Sequence, residues 1–157
     1  MGVIATKGTI KSGIYEKKIN AENRGIKVNS LATPLLAPMI EEGFFNNKIS
    51  KSIIKSYLEN KKFKKIEALI LACTHYPLIK SEIKSVLTKS VQILDSSEIV
   101  ARYIRDNLSE KNLLNNSSKC GSDLFFVSDL TEAFTESTKI FFPKKIKLKH
   151  YPMWDNE

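Results

Sequence analysis

The sequence predicts an α/β protein built on a largely parallel sheet with flanking helices. Short apolar runs rich in Val, Ile, Leu and Phe alternate with longer amphipathic stretches that carry many lysines. This alternation is typical of strands buried on both faces with helices packed outside them. The 157 residues have the length of one ordinary domain, which is long enough to bury a core without disulfides or metals.

Six strands and six helices follow from these patterns. The predicted strands are short and apolar at their centres: 2–6, 27–32, 67–73, 91–95, 124–128 and 145–150. The predicted helices lie between them, several opened by Ser or Thr: 9–23, 34–43, 50–62, 76–89, 97–108 and 131–141. Strands that alternate with helices favour parallel pairing through right-handed crossovers. The polar stretch 110–123 is the best candidate for a flexible loop.

The amino-acid composition indicates which classes of partner the protein does not bind. The formal net charge is +8, but the arginines are only Arg24, Arg102 and Arg105. Scattered lysine is the usual solvated surface charge, so we expect no nucleic-acid partner. With 42% hydrophobic and 27% charged residues, and apolar stretches too short for a bilayer, we expect no membrane partner. Residues 1–7 lack the pattern of a secretory signal, which predicts a cytoplasmic protein with reduced Cys73 and Cys120.

The most informative window begins where a buried strand delivers Cys73 at its carboxyl end, followed by Thr74 and His75. Ligands of open α/β sheets bind at that end of the strands. Thr74 is a candidate cap for the next helix, and the positive end of that helix would favour the thiolate of Cys73. The alternative is a buried structural cysteine beside a capping threonine.

The string from Cys73 to Leu78, Cys-Thr-His-Tyr-Pro-Leu, resembles the second catalytic motif of glutamate racemases. Related aspartate and hydantoin racemases lack the His-Tyr-Pro continuation. Other segments resemble the same family along the whole chain: 2–15, 32–43, 94–101 and 125–134. The resemblance implies a cofactor-independent isomerase that makes D-glutamate for peptidoglycan. No metal-ligand spacing or phosphate-binding glycine loop appears in the sequence, so we expect neither a metal nor a cofactor.

The resemblance also implies roles for individual residues. Racemisation without pyridoxal phosphate needs one acid/base group on each face of the substrate, and Cys73 would be one of these two thiols. His75 would assist it and contact substrate, and Thr74 would help to hold the glutamate. A glutamate of the Glu-Glu-Gly segment lies near the site in the family, so Glu42 is a candidate helper, with Glu41 as the alternative.

Two family motifs, Asp-Ser-Gly and Cys-Asn-Thr, do not occur in these residues. The second carries the opposite-face cysteine, and Cys120 lies in a polar loop that would position it poorly. We therefore expect 1–90 to form the second lobe of a racemase, and 91–157 to form the returning part of an incomplete first lobe. Such a chain alone would be inactive and would act with a complementing N-terminal fragment or as a homo-oligomer. The alternative function is a noncatalytic remnant or a regulatory module that retains half of the cleft.

Overall fold

A computed structural model describes residues 1–88, 90–115, 117, 121–142, 144 and 146–153 of the chain. The chain forms two compact units, Met1–Asn112 and Leu113–Glu157. In the described residues, no helix is both long and apolar enough to cross a membrane.

The first unit is built on a four-stranded, fully parallel sheet. Its strands are β1 (Gly2–Ala5), β2 (Asn29–Ala32), β3 (Ala68–Leu71) and β4 (Gln92–Asp95), in the spatial order β2-β1-β3-β4. In the register of the sheet, Ala5 pairs with Ala32, and Leu71 pairs with both Ile4 and Asp95. The α/β class and the parallel pairing that the sequence predicts are confirmed.

Six helices connect or follow these strands: α1 (Lys7–Ser12), α2 (Ile14–Glu22), α3 (Leu36–Glu41), α4 (Lys48–Leu58), α5 (Lys80–Val86) and α6 (Ser96–Glu110). The predicted helix 9–23 is divided into α1 and α2 at Gly13, whose φ of 65° is the left-handed conformation that ends a helix. The predicted helix 76–89 begins as a 3₁₀ turn, Tyr76–Ile79. Pro77 has no N–H to donate, and the turn is closed by the Leu78 N–H donating to the His75 carbonyl.

The core of this unit lies between the sheet and the helices α3, α4 and α5. β1 is buried along its whole length, as expected of a central parallel strand covered on both faces. The largest side chain that is fully buried belongs to Tyr76, which follows β3. The apolar residues that pack together are Ile4, Leu36, Met39, Ile40, Ile54, Leu58, Phe63, Ile66, Leu69, Leu71, Tyr76, Ile79 and Ile83.

The second unit contains the parallel strands β5 (Phe125–Val127) and β6 (Leu148–His150), with α7 (Glu132–Phe141) between them in the chain. The six predicted strands are therefore divided between two sheets. The sequence places 91–157 together as a returning segment, whereas β4 and α6 belong to the first compact unit. The assignment of residues to racemase lobes stays a prediction.

Candidate active site

Polar residues follow the carboxyl ends of all four strands of the first sheet. Thr6 follows β1, Thr33 follows β2, Cys73 lies two residues beyond β3, and Ser96 follows β4. Parallel register brings these ends to one edge of the sheet, and backbone bonds extend it there, since Thr33 N–H donates to the Ala5 carbonyl. This edge is where open α/β sheets bind ligands.

Three side chains form a connected line at this edge. The Sγ of Cys73 lies 3.7 Å from Nδ1 of His75, and the Nε2 of His75 lies 3.0 Å from Oε1 of Glu41. The side chain of His75 is 29% exposed and that of Glu41 is 56% exposed, while Cys73 is half-buried. The imidazole therefore bridges a thiol and a carboxylate, which is the arrangement of a nucleophile or base oriented by a second and a third group.

The residue that contacts His75 at the end of α3 is Glu41 rather than its neighbour Glu42. Glu41 is the last residue of α3, and Gly43, with a φ of 65°, ends the helix two residues later. Glu42 is exposed, and its carboxylate forms no ion pair or hydrogen bond with the described residues. The sequence named Glu42 as helper with Glu41 as the alternative, and it is Glu41 that the structure brings to His75.

Thr74 is exposed at the same edge. It does not act as the helix cap that the sequence suggested, because the residue before the 3₁₀ turn is His75, and no side chain caps this turn. The turn continues directly into α5. The polar side chain next to the Cys73 thiol is the imidazole of His75.

Tyr76 forms a buried link that sequence analysis did not identify. Its hydroxyl lies 2.7 Å from Oγ1 of Thr33 and donates to the Thr33 carbonyl at 3.2 Å, and Thr33 Oγ1 lies 3.3 Å from the Ala5 carbonyl. Both side chains have no exposed surface. Burial raises the pKa of Tyr76 from 10.0 to about 12, against the lowering effect of the Thr33 hydrogen bond. The link ties the turn after Cys73 to the ends of β1 and β2.

Two more hydroxyls lie at the end of β1, which is the strand beside β3. Oγ1 of Thr6 and Oγ1 of Thr9 are 3.2 Å apart, and both residues are half-buried. The sequence patterns did not indicate these two threonines as site residues. The feature of the sequence that could have indicated them is the position of Thr6 directly after a buried strand.

On the other side of β3, Asp95 ends β4 and is 5% exposed. It accepts from Ser97 N–H at 3.0 Å, and its Oδ2 lies 3.2 Å from the Nζ of Lys80, which also pairs with Glu98. Burial would raise the pKa of Asp95, but the hydrogen bonds from Ser97 and Lys80 outweigh burial and hold it below its usual value. This cluster fixes the start of α6 beside the candidate site.

Cys120 lies outside the described residues, so its predicted lack of a role stays a prediction. In the part of the chain that the structure describes, no group of three or more His, Cys, Asp or Glu side chains is placed to hold a metal ion.

Comparison with known proteins identifies the family of this chain. The profile of the family described as Asp/Glu/Hydantoin racemase matches residues 1–104. Glutamate racemase of Chlorobaculum parvum is 38% identical over 141 residues, covering 90% of this chain and 52% of the relative. That of Geobacter metallireducens is 35% identical over 146 residues, covering 93% of this chain and 54% of the relative.

Crystal structures of glutamate racemases are also similar to this chain. The crystal structure of glutamate racemase from Francisella tularensis in complex with D-glutamate has a TM-score of 0.85 at 36% identity, covering 96% of this chain and 56% of that chain. The crystal structure of the glutamate racemase isoform RacE1 from Bacillus anthracis has a TM-score of 0.86 at 31% identity. The match covers 97% of this chain and 57% of that chain. The chain thus spans about half the length of the relatives it matches. Because the family profile matches residues 1–104, which is more than half of the chain, this protein belongs to the Asp/Glu/Hydantoin racemase family.

Proposed function

We propose that this chain supplies one half of the active site of a glutamate racemase, with Cys73 as the acid/base group on one face of the substrate. The observation that carries the proposal is the line Cys73, His75 and Glu41 at the carboxyl edge of the parallel sheet. The named relatives, among them a glutamate racemase in complex with D-glutamate, support glutamate as the substrate.

The geometry supports a separate chemical role for each of the side chains of Glu41, His75 and Cys73. Glu41 accepts a hydrogen bond from Nε2–H of His75, which leaves the Nδ1 lone pair facing the thiol of Cys73. Nδ1 then takes the thiol proton, and the resulting thiolate removes the α-proton of glutamate, which re-forms S–H. The electron pair of the broken C–H bond stays on the substrate, where hydrogen-bond donors stabilise the developing charge. In the reverse direction, the same S–H returns a proton to that face.

Substrate contacts on this half come from hydroxyls and the imidazole at the same edge. Thr74 is exposed there. The hydroxyls of Thr6, which follows the adjacent strand β1, and of Thr9 in α1 lie 3.2 Å apart. Hydroxyl groups can donate to a substrate carboxylate while accepting from its ammonium group. We propose that these residues and His75 orient glutamate toward Cys73.

Inversion also needs a group on the opposite face, and on this proposal it comes from a polypeptide equivalent to the half of the relatives that this chain does not match. The chemistry of two thiols requires neither a metal nor a cofactor. We place the reaction in the cytoplasm, as a supply of D-glutamate for peptidoglycan. This placement is supported by the resemblance of the string Cys73 to Leu78 to the racemase motif.

Racemisation measured by circular dichroism of an L-glutamate solution tests the proposal. The purified chain alone should show no enzyme-like rate. Co-expression with the half of the Chlorobaculum parvum racemase that this chain does not match should produce activity. Replacing Cys73→Ala should lower that rate by about 10²-fold or more, whereas Cys120→Ala, the matched control, should not change it.

Two results would contradict the proposal. The first is a racemising pair whose rate is the same with Cys73→Ala, because another group would then be the base. The second is rapid racemisation by the chain alone that persists in Cys73→Ala. A pair that assembles but never exchanges the α-proton of glutamate, followed by NMR in D₂O, would favour the noncatalytic module instead.

A further inference from the structure

Two contacts join the segment that carries Glu41 to the segment that carries His75, and one of them is buried. In the exposed contact, Nε2 of His75 lies 3.0 Å from Oε1 of Glu41, whose side chain is 56% exposed. In the buried contact, the hydroxyl of Tyr76 lies 2.7 Å from Oγ1 of Thr33 and donates to the Thr33 carbonyl at 3.2 Å. Both contacts therefore hold the segment 33–41 against the turn that follows β3.

The exposed contact is too weak to fix its own geometry. A partly solvated pair of long side chains gains little free energy and loses rotamer freedom when it is held in one arrangement. This contact nevertheless orients Nδ1 of His75 toward Sγ of Cys73, which is 3.7 Å away. Hydrogen bonds weaken steeply when their angle changes, so the position of the imidazole has to come from the backbone that carries it.

The buried contact holds this backbone on both sides. Tyr76 is the residue next to His75, and its N–H donates to the Cys73 carbonyl at 3.2 Å. The Thr33 carbonyl accepts from the N–H of Leu36, which is the first residue of α3. The side chains of Tyr76 and Thr33 have no exposed surface, and a hydrogen bond in such surroundings is stronger than one in water. The Tyr76–Thr33 contact therefore fixes the start of α3 relative to the turn.

Helix α3 transmits this position to Glu41. The helix spans six residues, which is less than two turns, and Glu41 is its last residue. Three of its side chains belong to the same apolar core as Tyr76: Leu36, Met39 and Ile40. A short helix that is packed along one side moves as a unit, so the location of Thr33 before the helix sets the location of Glu41 at its end.

We propose that Tyr76 and Thr33 are positioning residues for the reactive thiol: their buried hydrogen bonds set the contact of His75 with Glu41 and so aim Nδ1 at Cys73. Both side chains are fully buried, so they act through the imidazole and not on the substrate. The inference rests on the proposed function for its consequence in racemisation. A displaced imidazole accepts the thiol proton less well, which should lower kcat for proton removal and leave KM nearly unchanged.

The pH profile of Cys73 alkylation by iodoacetamide, measured by mass spectrometry, tests the proposal in this chain. Tyr76→Phe should lower the rate at pH 7 about threefold, as expected of Glu41→Gln, since both act through the imidazole. Thr33→Val removes the hydroxyl of the other partner and should do the same. Thr33→Ser keeps that hydroxyl and should react at close to the wild-type rate. Above about pH 9 the thiol ionises without assistance, so all these chains should react alike.

Ile54→Val is the matched control for a loss of stability. Ile54 is a fully buried residue of α4 and lies outside both segments. Removing one buried methylene costs about as much free energy of unfolding as losing a buried hydrogen bond, and urea unfolding measures this loss in each variant. If Ile54→Val slows Cys73 alkylation as much as Tyr76→Phe does, general destabilisation explains the effect and the proposal is overturned. Wild-type rates in both Tyr76→Phe and Thr33→Val would overturn it as well.

Nitrogen NMR of the His75 ring gives a second readout that a loss of stability would not move. The sequence contains two histidines, His75 and His150, so the ring of His150 is an internal reference. At about pH 8, where free imidazole is neutral, Glu41 should hold the proton of His75 on Nε2. In Tyr76→Phe the shifts of the two His75 nitrogens should move toward each other, as the two tautomers become mixed. Unchanged His75 shifts would overturn the proposal.

The double variant Tyr76→Phe/Glu41→Gln decides whether the buried link acts through Glu41. Substitutions that act on one contact are not additive, so the double variant should be alkylated about as slowly as either single variant. A product of the two effects, roughly ninefold, would show independent actions and overturn the proposal.

These measurements need no turnover, so the positioning role and the proposed function can fail separately. A pair of polypeptides that assembles but never racemises glutamate, combined with alkylation that depends on Tyr76, would contradict the proposed function alone. A racemising pair whose kcat is unchanged by Tyr76→Phe would overturn the positioning role alone.

Discussion

The Nε2 of His75 lies 3.0 Å from Oε1 of Glu41, although the two residues are far apart in the chain. The contact joins the end of α3 to the turn that follows β3. It holds the imidazole so that Nδ1 faces the Cys73 sulfur at 3.7 Å. The orientation of the His75 imidazole therefore depends on the packing of α3 against this turn.

Replacing Glu41→Gln should slow alkylation of Cys73 by iodoacetamide at pH 7. The amide cannot act as a charged acceptor for Nε2–H, so the imidazole loses part of the hydrogen bond that orients it. Because the pair is partly exposed, we expect an effect of about threefold. The isosteric Glu42→Gln is the matched control and should alkylate at the wild-type rate. Equal rates of Cys73 alkylation in the two variants would show that Glu41 does not orient the His75 imidazole.

Cys73 should react with iodoacetamide faster than Cys120 in the folded chain. The imidazole beside Cys73 can accept its proton, and the thiolate is the reactive form of cysteine. Mass spectrometry of peptides after timed labelling measures the two rates separately. His75→Ala should bring the rate of Cys73 toward that of Cys120, and indistinguishable rates in the wild-type protein would contradict a role for His75 in activating the thiol.

Tyr76→Phe should destabilise the protein by about 1–2 kcal/mol in urea unfolding. The phenylalanine removes one of two hydrogen-bond partners from the buried Thr33 hydroxyl, which keeps the Ala5 carbonyl. It also removes one of two partners from the Thr33 carbonyl, which keeps the Leu36 N–H, and a lost hydrogen bond between buried groups carries a cost of this size. Tyr57→Phe is the matched control, since its hydroxyl accepts from Leu35 N–H in an exposed contact of 3.4 Å. It should change the free energy of unfolding by less than about 0.5 kcal/mol.

Stability at alkaline pH should also depend on Tyr76. Burial raises the pKa of Tyr76 from 10.0 to about 12, so between these values the unfolded chain loses the phenolic proton and the folded chain keeps it. The contribution is fully present below pH 10 and is lost as the pH rises through about 12. Urea midpoints of the wild type should therefore fall more steeply over this range than those of Tyr76→Phe, and parallel curves would contradict the assignment.

Asp95→Ala should destabilise the protein by about 1–2 kcal/mol, because it removes both the cap of α6 and the partner of Lys80. Asp95→Asn keeps an oxygen that can cap α6, so this variant should lose less stability than Asp95→Ala.

The stability of the protein in acid should also depend on Asp95. Although burial would raise the pKa of Asp95, the Ser97 and Lys80 contacts hold it below the unfolded value of 3.8. The ionised form thus stabilises the fold above about pH 4, and this contribution is lost as the pH falls through the folded-state pKa. Asp95→Asn should lose less stability on acidification than the wild type, and an equal loss would contradict the prediction.

Local sequence patterns were enough to predict the α/β class, the positions of the strands and the window that begins at Cys73. These features depend on local patterns: a short apolar run such as Leu69–Leu71 is typical of a buried strand, and Cys73 follows at its carboxyl end. The string from Cys73 to Leu78 was specific enough to indicate the racemase family. The interruption at Gly13 was also accessible in principle, because glycine favours the left-handed conformation that ends α1.

Which glutamate reaches His75 depends on tertiary packing. Successive residues of a helix point about 100° apart, so the choice between Glu41 and Glu42 depends on how α3 is rotated as it packs over the core. The Tyr76–Thr33 link joins residues 43 positions apart, and the division of six strands into two sheets depends on pairings between distant segments. Local propensity carries no information about such contacts, because they form only when the core has placed the elements side by side.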